Sequence, residues 1–366
     1  MVVGGGTPDT NAPQYWNGSI QWFTPSEIGK NKYVDKSART ISEEGLNKSS
    51  AKLLPIGTIL LSSRATIGEC SINKKECTTN QGFQSLIPKE YISNEFVYYL
   101  IQTKRKDLIR KSCGSTFLEI SANEVRKIGV SIPTIKEQDK IANILSLLDE
   151  RIATQNKIIE DLKMLKSAII DYAISSLDAD FIKFGSLYET AGEGGTPTTS
   201  NASFYDNGKI PFVKIDDLKQ KYLVENKDFI TELGLQKSSA WLVPTHSILF
   251  SNGATIGEIT ITTYPVCTKQ GILGIVPKSN IDVEFLYYFM SSSYFKKAVS
   301  RIVTEGTMKT AYLKDINNIL CPIPPKENQQ EIAKMPSALN SKIDFEQSIL
   351  NLFYAQKQYL LRQMFI

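Results

Sequence analysis

KEQDKIANILSLLDERIATQNKIIEDLKMLKSAIIDYAISSL, from Lys136 to Leu177, holds one helical period for about forty residues with no Gly or Pro to interrupt it. Alternating steps of four and three from Ile141 reach Leu145, Leu148, Ile152, Gln155, Ile159, Leu162, Lys166, Ile169 and Ala173. That is an apolar seam, broken at Gln155 and Lys166. A seam so regular predicts a second helix, and the far end of the chain supplies it. The same stepping from Ile332 gives Pro336, Leu339, Ile343, Glu346, Leu350, Phe353, Lys357, Leu360 and Met364. The two ladders lie 191 residues apart throughout, and their polar interruptions coincide.

An antiparallel pair of such helices predicts its own register. If a pseudo-two-fold relates the copies, Lys166 opposite Glu346 places Gln155 opposite Lys357, so one register satisfies every polar interruption. A slip of one heptad would set Lys166 against Leu339. A charge buried without a partner costs about 3–5 kcal/mol, enough to select between the two unless the lysine snorkels to solvent.

The rest of the chain is also duplicated, at displacements of 189 to 191 residues. Gly5-Gly6-Thr7-Pro8 returns as Gly194-Gly195-Thr196-Pro197, and Ala65-Thr66-Ile67-Gly68-Glu69 returns letter for letter as Ala254-Thr255-Ile256-Gly257-Glu258. Asn17-Gly18, Gln81-Gly82, Glu95-Phe96, Tyr98-Tyr99 and Ile132-Pro133 all have collinear counterparts. Each unit reads as short strands (Ile56 to Ser62, Thr66 to Ile72, Phe83 to Ile87), then one amphipathic helix from Asn94 to Lys111. A capping box at Ser121 and Glu124 follows, and then a strand ending in Ile-Pro that delivers the chain into the long helix. The order is domain, helix, domain, helix. The second copy carries a preamble, Phe181 to Glu193, ahead of its Gly-Gly-Thr-Pro turn, where the first has Met1 to Gly4.

Composition places the 366 residues among soluble globular proteins, with 42% hydrophobic and 22% charged residues. The longest apolar runs fall well short of the ~20 residues that a membrane span needs. No secretory signal opens the chain, and five scattered cysteines without metal spacing suit a reducing compartment, so a cytoplasmic protein is expected. Enzymatic chemistry is thin. The single histidine, His246, has Gly57 as its counterpart, and neither a nucleotide-cradling glycine loop nor a methyl-transfer signature occurs. Asp216 with Glu225 to Lys227 has no equivalent carboxylate set in the first copy, which argues against a metal-dependent nuclease.

Groups that could hold nucleic acid are plentiful by contrast. Lys104-Arg105-Lys106 with Arg110-Lys111 puts five cations within two helical turns, and Lys296, Lys297 and Arg301 recur at the matching place. Two clusters at equivalent positions suggest phosphate contacts. Ser62-Ser63-Arg64 leading into Thr66, and Ser251-Asn252 leading into Thr255, occupy matched strand-to-loop junctions. Asn80-Gln81 and Lys269-Gln270 occupy another matched loop. Arg, Lys, Asn and Gln there could make the paired hydrogen bonds that distinguish base edges, whereas the plain alternative is turn chemistry that satisfies the backbone. Ser115 and Thr307, in the Gly114-Ser115-Thr116 and Gly306-Thr307 loops, join the candidate set.

The ensemble resembles the specificity subunit of type I restriction-modification systems, over nearly the whole chain. The resemblance rests on the duplicated Gly-Gly-Thr-Pro and Ala-Thr-Ile-Gly, Thr79-Asn80-Gln81-Gly82, the Ile-Pro exits, Glu137-Gln138 with Ile141-Ala142, and Leu360-Leu361-Arg362-Gln363-Met364-Phe365. It implies an α+β fold of two target recognition domains, residues 1–135 and 178–325, separated by two long antiparallel coiled-coil helices, residues 136–177 and 326–366. It further implies that each domain reads one half of a bipartite double-stranded DNA site. Methyltransferase subunits would dock on the helices and restriction subunits would join them. S-adenosylmethionine, ATP and magnesium would then bind only to those partners, and this chain would be non-catalytic. A helix of about forty residues is ~60 Å long, more than one ~34 Å turn of duplex, so the pair could hold two readers apart. A duplicated scaffold that binds peptides instead of DNA is the rival expectation, and steep weakening of binding with salt separates the two.

Overall fold

The computed structural model describes residues 1–114, 118–253, 255–303 and 309–365. It divides into two compact units, residues 1–156 with 348–366, and residues 157–347.

In the first unit a five-stranded sheet runs in the order Val2–Gly4, Gln84–Leu86, Ile59–Leu61, Cys70–Asn73, Tyr33–Val34. Only its last pair is parallel. A three-stranded sheet, Arg39–Ile41, Trp16–Phe23, Cys77–Thr79, lies beside it in sequence and contains one antiparallel and one parallel pair. The second unit repeats both sheets strand for strand. Its large sheet is Tyr188–Glu193, Ile272–Pro277, Ile248–Ser251, Ile259–Thr262, Tyr222–Leu223, and its small one is Asp228–Ile230, Ile210–Val213, Cys267–Thr268. Pair orientations are the same as in the first unit. The repeat read in the sequence is therefore a repeat of topology.

Matched turns explain several of the shared letters. A Cβ on Gly5 would sit 2.0 Å from the Asn80 carbonyl, and one on Gly195 would sit 2.3 Å from the Ala240 nitrogen, so both Gly-Gly pairs permit backbone to pass against backbone. His246 has φ 57° and Gly57 has φ 82°. Each donates its N–H to the same ladder position, Thr262 O at 2.9 Å and Asn73 O at 3.0 Å. The lone histidine thus occupies a left-handed turn.

Three expected elements differ. The helix drawn over Asn94 to Lys111 is two helices, Asn94–Thr103 and Arg105–Arg110, interrupted at Lys104 with φ −92° and ψ 4°. Its counterpart also breaks, into Val283–Ser291 and Ser293–Ile302, where Ser292 accepts the Phe295 N–H at 3.2 Å. The strand ending in Ile-Pro exists in the second unit only, as Leu320–Pro322 paired with Phe181–Lys183. In the first unit residues 128–134 form no strand. The capping box is half formed: Ser121 accepts the Glu124 N–H at 3.3 Å, while the Glu124 carboxylate turns to Lys127 at 2.6 Å.

The long helices span Ile135–Ser175 and Lys326–Met364, the second continuing through Pro336. Their register corrects the expected one. In the first unit Lys357 pairs with Asp149 at 2.6 Å, and in the second Lys166 donates to Asn340 at 2.9 Å, each partner six residues from the Gln155 and Glu346 expected there. Glu346 takes Lys342 of its own helix, at 2.5 Å. Asp149 and Asn340 are themselves repeat equivalents, so the swapping rule holds with each partner moved about one heptad. The slip was expected to face lysine with leucine. It is tolerated because the residues following Leu148 and Leu339 are polar, and a lysine stem can lie along the seam while its amine reaches past the leucine. Burial nonetheless pushes the Lys166 amine below its ordinary value, helped by nearby Lys221, Lys163 and Lys296 and opposed by Asp344.

Two polar clusters, absent from the sequence reading, fasten each unit's sheet to its long helices. In the second unit Lys221, just before the edge strand Tyr222–Leu223, meets Glu284 and also donates to Ser337 at 3.0 Å. Tyr222 meets Glu284 too, and Tyr288 reaches Ser337 at 3.1 Å. The first unit repeats this with Lys32, Tyr33, Glu95, Tyr99 and Ser146. A buried glutamine near the start of each long helix makes the other clamp. Gln138 receives Ser93 N–H at 2.9 Å and donates to the Pro133 carbonyl at 2.9 Å, and Gln329 receives Asp282 N–H at 2.8 Å and donates to the Pro324 carbonyl at 2.8 Å. No helix of the described residues is long and apolar enough to cross a membrane.

The Lys221 side chain is 3% exposed and that of Lys32 is 12%. Removing the carboxylate charge leaves the more buried amine worse off, so Glu284→Gln should destabilise its unit by about 3–5 kcal/mol and Glu95→Gln by less. Urea unfolding of the two variants measures the difference.

Cys70, Cys77, Cys267 and Cys321 are buried thiols and Cys113 is exposed. Burial pushes Cys70, Cys77 and Cys321 up to about 12, against an ordinary value of 9.0. A raised thiol stays neutral in the fold while the unfolded chain ionises from pH 9.0 upward, so stability present below that value is lost as pH climbs toward about 12. Urea midpoints should fall across that window, and replacing Cys70 by Ala should flatten the fall.

Candidate nucleic-acid interface

In the first unit the strand Ile59–Leu61 ends in a tight turn around Arg64. Ser62 and Ser63 are fully buried beneath it. The Ser62 hydroxyl donates to the Arg64 carbonyl at 2.8 Å and accepts from the Thr66 hydroxyl at 3.0 Å, while Ser63 N–H goes to Gly82 O at 2.8 Å. Ala65 adopts φ 52° and Gly68 φ 89°, which turns the chain through Arg64-Ala65-Thr66 and leaves all three exposed. Arg64 lies against Glu119, Nε to Oε1 2.9 Å, with its side chain 44% exposed. That contact takes one of the five N–H donors of the guanidinium.

The matched junction in the second unit repeats the buried part. The Ser251 hydroxyl accepts Glu258 N–H at 2.8 Å, and Asn252 uses its amide on the Ala311 carbonyl at 3.3 Å. Ser251 is fully buried and Asn252 is 2% exposed. Ser62, Ser63, Ser251 and Asn252, expected to read bases, are instead buried: the Ser62 and Ser251 hydroxyls and the Asn252 amide nitrogen hold the turns, while the Ser63 hydroxyl and the Asn252 side-chain carbonyl have no hydrogen-bond partner among the described residues. Thr66 and Thr255 are exposed beside them.

The second loop divides in the same way. Asn80 is half-buried and caps its own turn, accepting Gly82 N–H at 2.9 Å, whereas Gln81 is exposed and meets Thr7 of the Gly-Gly-Thr-Pro turn. Its equivalent offers Lys269 and Gln270, both exposed, with the Gln270 N–H on Thr196 at 3.2 Å. Among the described residues Lys269 has no ion-pair partner. Ser115 and Thr307 lie outside the described residues, as do Thr116 and Gly306.

The cationic clusters take different forms. In the first unit a groove of about 1000 Å³ is lined by Lys30, Lys104, Arg105, Lys106, Lys357 and Arg362 among others. Its acids, Glu69 and Asp149, are occupied by Arg105 at 2.7 Å and Lys357 at 2.6 Å. Arg105 also lies over Gly68, where a Cβ would meet its side chain at 2.7 Å. Lys30, Lys104, Lys106 and Arg362 remain without an ion-pair partner among the described residues, so the groove carries a net positive field suited to phosphates. In the second unit Lys296, Lys297 and Arg301 are exposed on the helix Ser293–Ile302.

Two units of one topology thus present different exposed side chains at equivalent loops: Arg64, Thr66 and Gln81 in one, Thr255, Lys269 and Gln270 in the other. The fastening residues were visible as repeated letters, Glu95 with Glu284, Tyr99 with Tyr288 and Gln138 with Gln329. Nothing in the sequence told fastening from reading.

The family described as type I restriction modification DNA specificity domain matches residues 2–164 and 178–352. The chain is 31% identical, over 93% of its length and 85% of the relative's, to the type I restriction enzyme MjaIX specificity subunit of Methanocaldococcus jannaschii. Among solved structures, a chain from a type I restriction-modification system aligns with TM-score 0.68 at 15% identity, covering 100% of this chain and 94% of that one. The specificity subunit from Mycoplasma genitalium aligns with TM-score 0.55 at 18% identity, covering 96% and 94%. At such identities these structural likenesses speak for the fold.

Replacing Lys104 and Lys106 by Gln should weaken binding to any duplex and reduce the slope of log affinity against log salt by about 2, with site preference unchanged. A salt titration of DNA binding by the assembled complex measures it.

Proposed function

Because the chain belongs to the family of type I restriction-modification DNA specificity domains, we propose that it selects a bipartite DNA site, one unit reading each of two unlike half-sites. The observation that carries this reading is the family match to both halves of a chain whose halves share topology but not their exposed loop residues. Shared turns hold the backbone in one geometry, and unlike side chains on it select unlike bases. Arg64, with donors to spare, is suited to the bidentate contact that guanine accepts. Lys269 and Gln270 are suited to guanine and adenine edges respectively.

Within this reading, methyltransferase and restriction subunits supply the chemistry, and S-adenosylmethionine, ATP and magnesium bind to them. The long helices support docking. Beyond the seam, the helix Ile135–Ser175 carries a second heptad-spaced stripe of exposed apolar residues, Ile144, Ile158, Leu165 and Tyr172, and the helix Lys326–Met364 carries Phe345, Leu352 and Tyr359. A second apolar stripe on a helix whose first is already covered suits further helices from a partner.

The test is methylation mapping of DNA modified by the complex assembled on this chain. The expected outcome is one interrupted site with two unlike halves, in which Arg64→Ala relaxes one half by about 1–3 kcal/mol of discrimination per base and leaves the other intact. Modification at a single uninterrupted site, or a loss spread over both halves, would overturn the assignment.

A further inference from the structure

Arg64 and Glu119 meet because two backbone segments pair. Ile120 N–H donates to the Ser63 carbonyl at 3.0 Å, and Glu119 exchanges two backbone hydrogen bonds with Cys113, each 2.9 Å. Arg64 and Glu119 stand opposite one another as an antiparallel bridge, with Arg64 Nε 2.9 Å from Glu119 Oε1. The turn that carries the arginine is held separately, by the Ser62 hydroxyl on the Arg64 carbonyl at 2.8 Å. Backbone is thus fixed beneath both residues, and one ion pair joins the side chains.

The second unit keeps the frame and changes both side chains. Asn252 N–H meets Gly271 O at 3.0 Å where Ser63 N–H meets Gly82 O at 2.8 Å, and Ala311 N–H meets Asn252 O at 2.9 Å where Ile120 meets Ser63. Those bonds align Arg64 with Gly253 and Glu119 with Thr310. Cation and carboxylate occur together in one unit and are replaced together in the other. A carboxylate that the frame required would have stayed, whereas one that the arginine requires leaves with it. The Glu119 side chain is 38% exposed and that of Arg64 44%. An ion pair so open to solvent adds little to stability, which leaves orientation of the guanidinium as its use.

We propose that Glu119 is a positioning residue for base selection by Arg64, a role that rests on the DNA reading proposed above. With the Nε–H given to the carboxylate, the edge of the guanidinium left to make two parallel hydrogen bonds is Nη1–Nη2, and guanine O6 and N7 accept such a pair. An arginine without this partner would also attract any phosphate within reach. The Glu119 charge opposes that attraction, because it offsets the field of Arg64 and repels the phosphate itself. The carboxylate therefore lowers affinity for DNA of any sequence while sharpening the preference at one base.

The test compares the complex assembled on the parent chain with complexes carrying Glu119→Gln, Arg64→Ala or both. Preference is read by methylation of a duplex library randomised within the site, and general affinity by salt titration against a duplex that lacks the site. Glu119→Gln should lower preference about tenfold at the base position that Arg64→Ala relaxes, and leave the other half-site as it was. It should also bind the duplex lacking the site more tightly, with the slope of log affinity against log salt steeper by about 1. The double variant should relax that position no further than Arg64→Ala alone. Both side chains are solvent-exposed, so the variants should fold, and an unchanged melting temperature with an intact second half-site verifies that. If Arg64→Ala relaxes a base and Glu119→Gln does not, the proposal is overturned while the DNA-reading function stands. A slope that fails to steepen overturns it as well, and so does tighter binding at unchanged preference, which would make the carboxylate a brake on Arg64. If Arg64→Ala relaxes no base, the reading by Arg64 and the role of Glu119 fall together.

Discussion

A lysine buried against a carboxylate is the constraint on which both units depend. Lys221 and Glu284 bring together three elements that the chain makes far apart: the edge strand Tyr222–Leu223, the helix Val283–Ser291, and the long helix through Ser337. Apolar packing alone would let a sheet slide over a helix, since one methyl group is much like another. A desolvated amine beside one carboxylate and one hydroxyl has a single satisfactory place. Lys32, Glu95 and Ser146 impose the same condition on the first unit. Gln138 and Gln329 add a second fixed point, tying the start of each long helix to the loop and N-terminus of the helix that follows the sheet in each unit.

From that anchorage the loops inherit their aim. The junctions after Leu61 and after Phe250 are kept by hydroxyls and an amide that never see solvent, and these set the direction in which Arg64, Thr66 and Thr255 project. Burial of the polar residues and exposure of their neighbours are two halves of one device. A turn stiffened from within can hold a cation outward without losing it to rotamer disorder.

The sequence made the large-scale architecture legible because periodicity and duplication are properties of long stretches. The forty-residue helices, their pairing and the twofold repeat of topology all rest on many residues agreeing. Register and site residues rest on few. Lys166 found Asn340, six residues from the expected Glu346, because a flexible stem reaches a neighbour that a heptad diagram places off the seam. Ser62 and Arg64 look alike as polar loop letters, and only the fold reveals that one faces in and the other out. The break at Lys104 was equally hidden, since lysine carries no signature of a helix end.

Lys-Tyr at the edge strand, Glu and Tyr on the following helix, and Gln on the long helix stand at matching positions in both units, and none of them belongs to an exposed loop tip. A unit carrying a different set of loop side chains, or an altogether different loop, would meet the helices through the same few atoms. A change of loop side chains therefore leaves these fastening contacts untouched, whereas altering one exposed side chain by point substitution must respect a turn whose buried hydroxyls are already engaged.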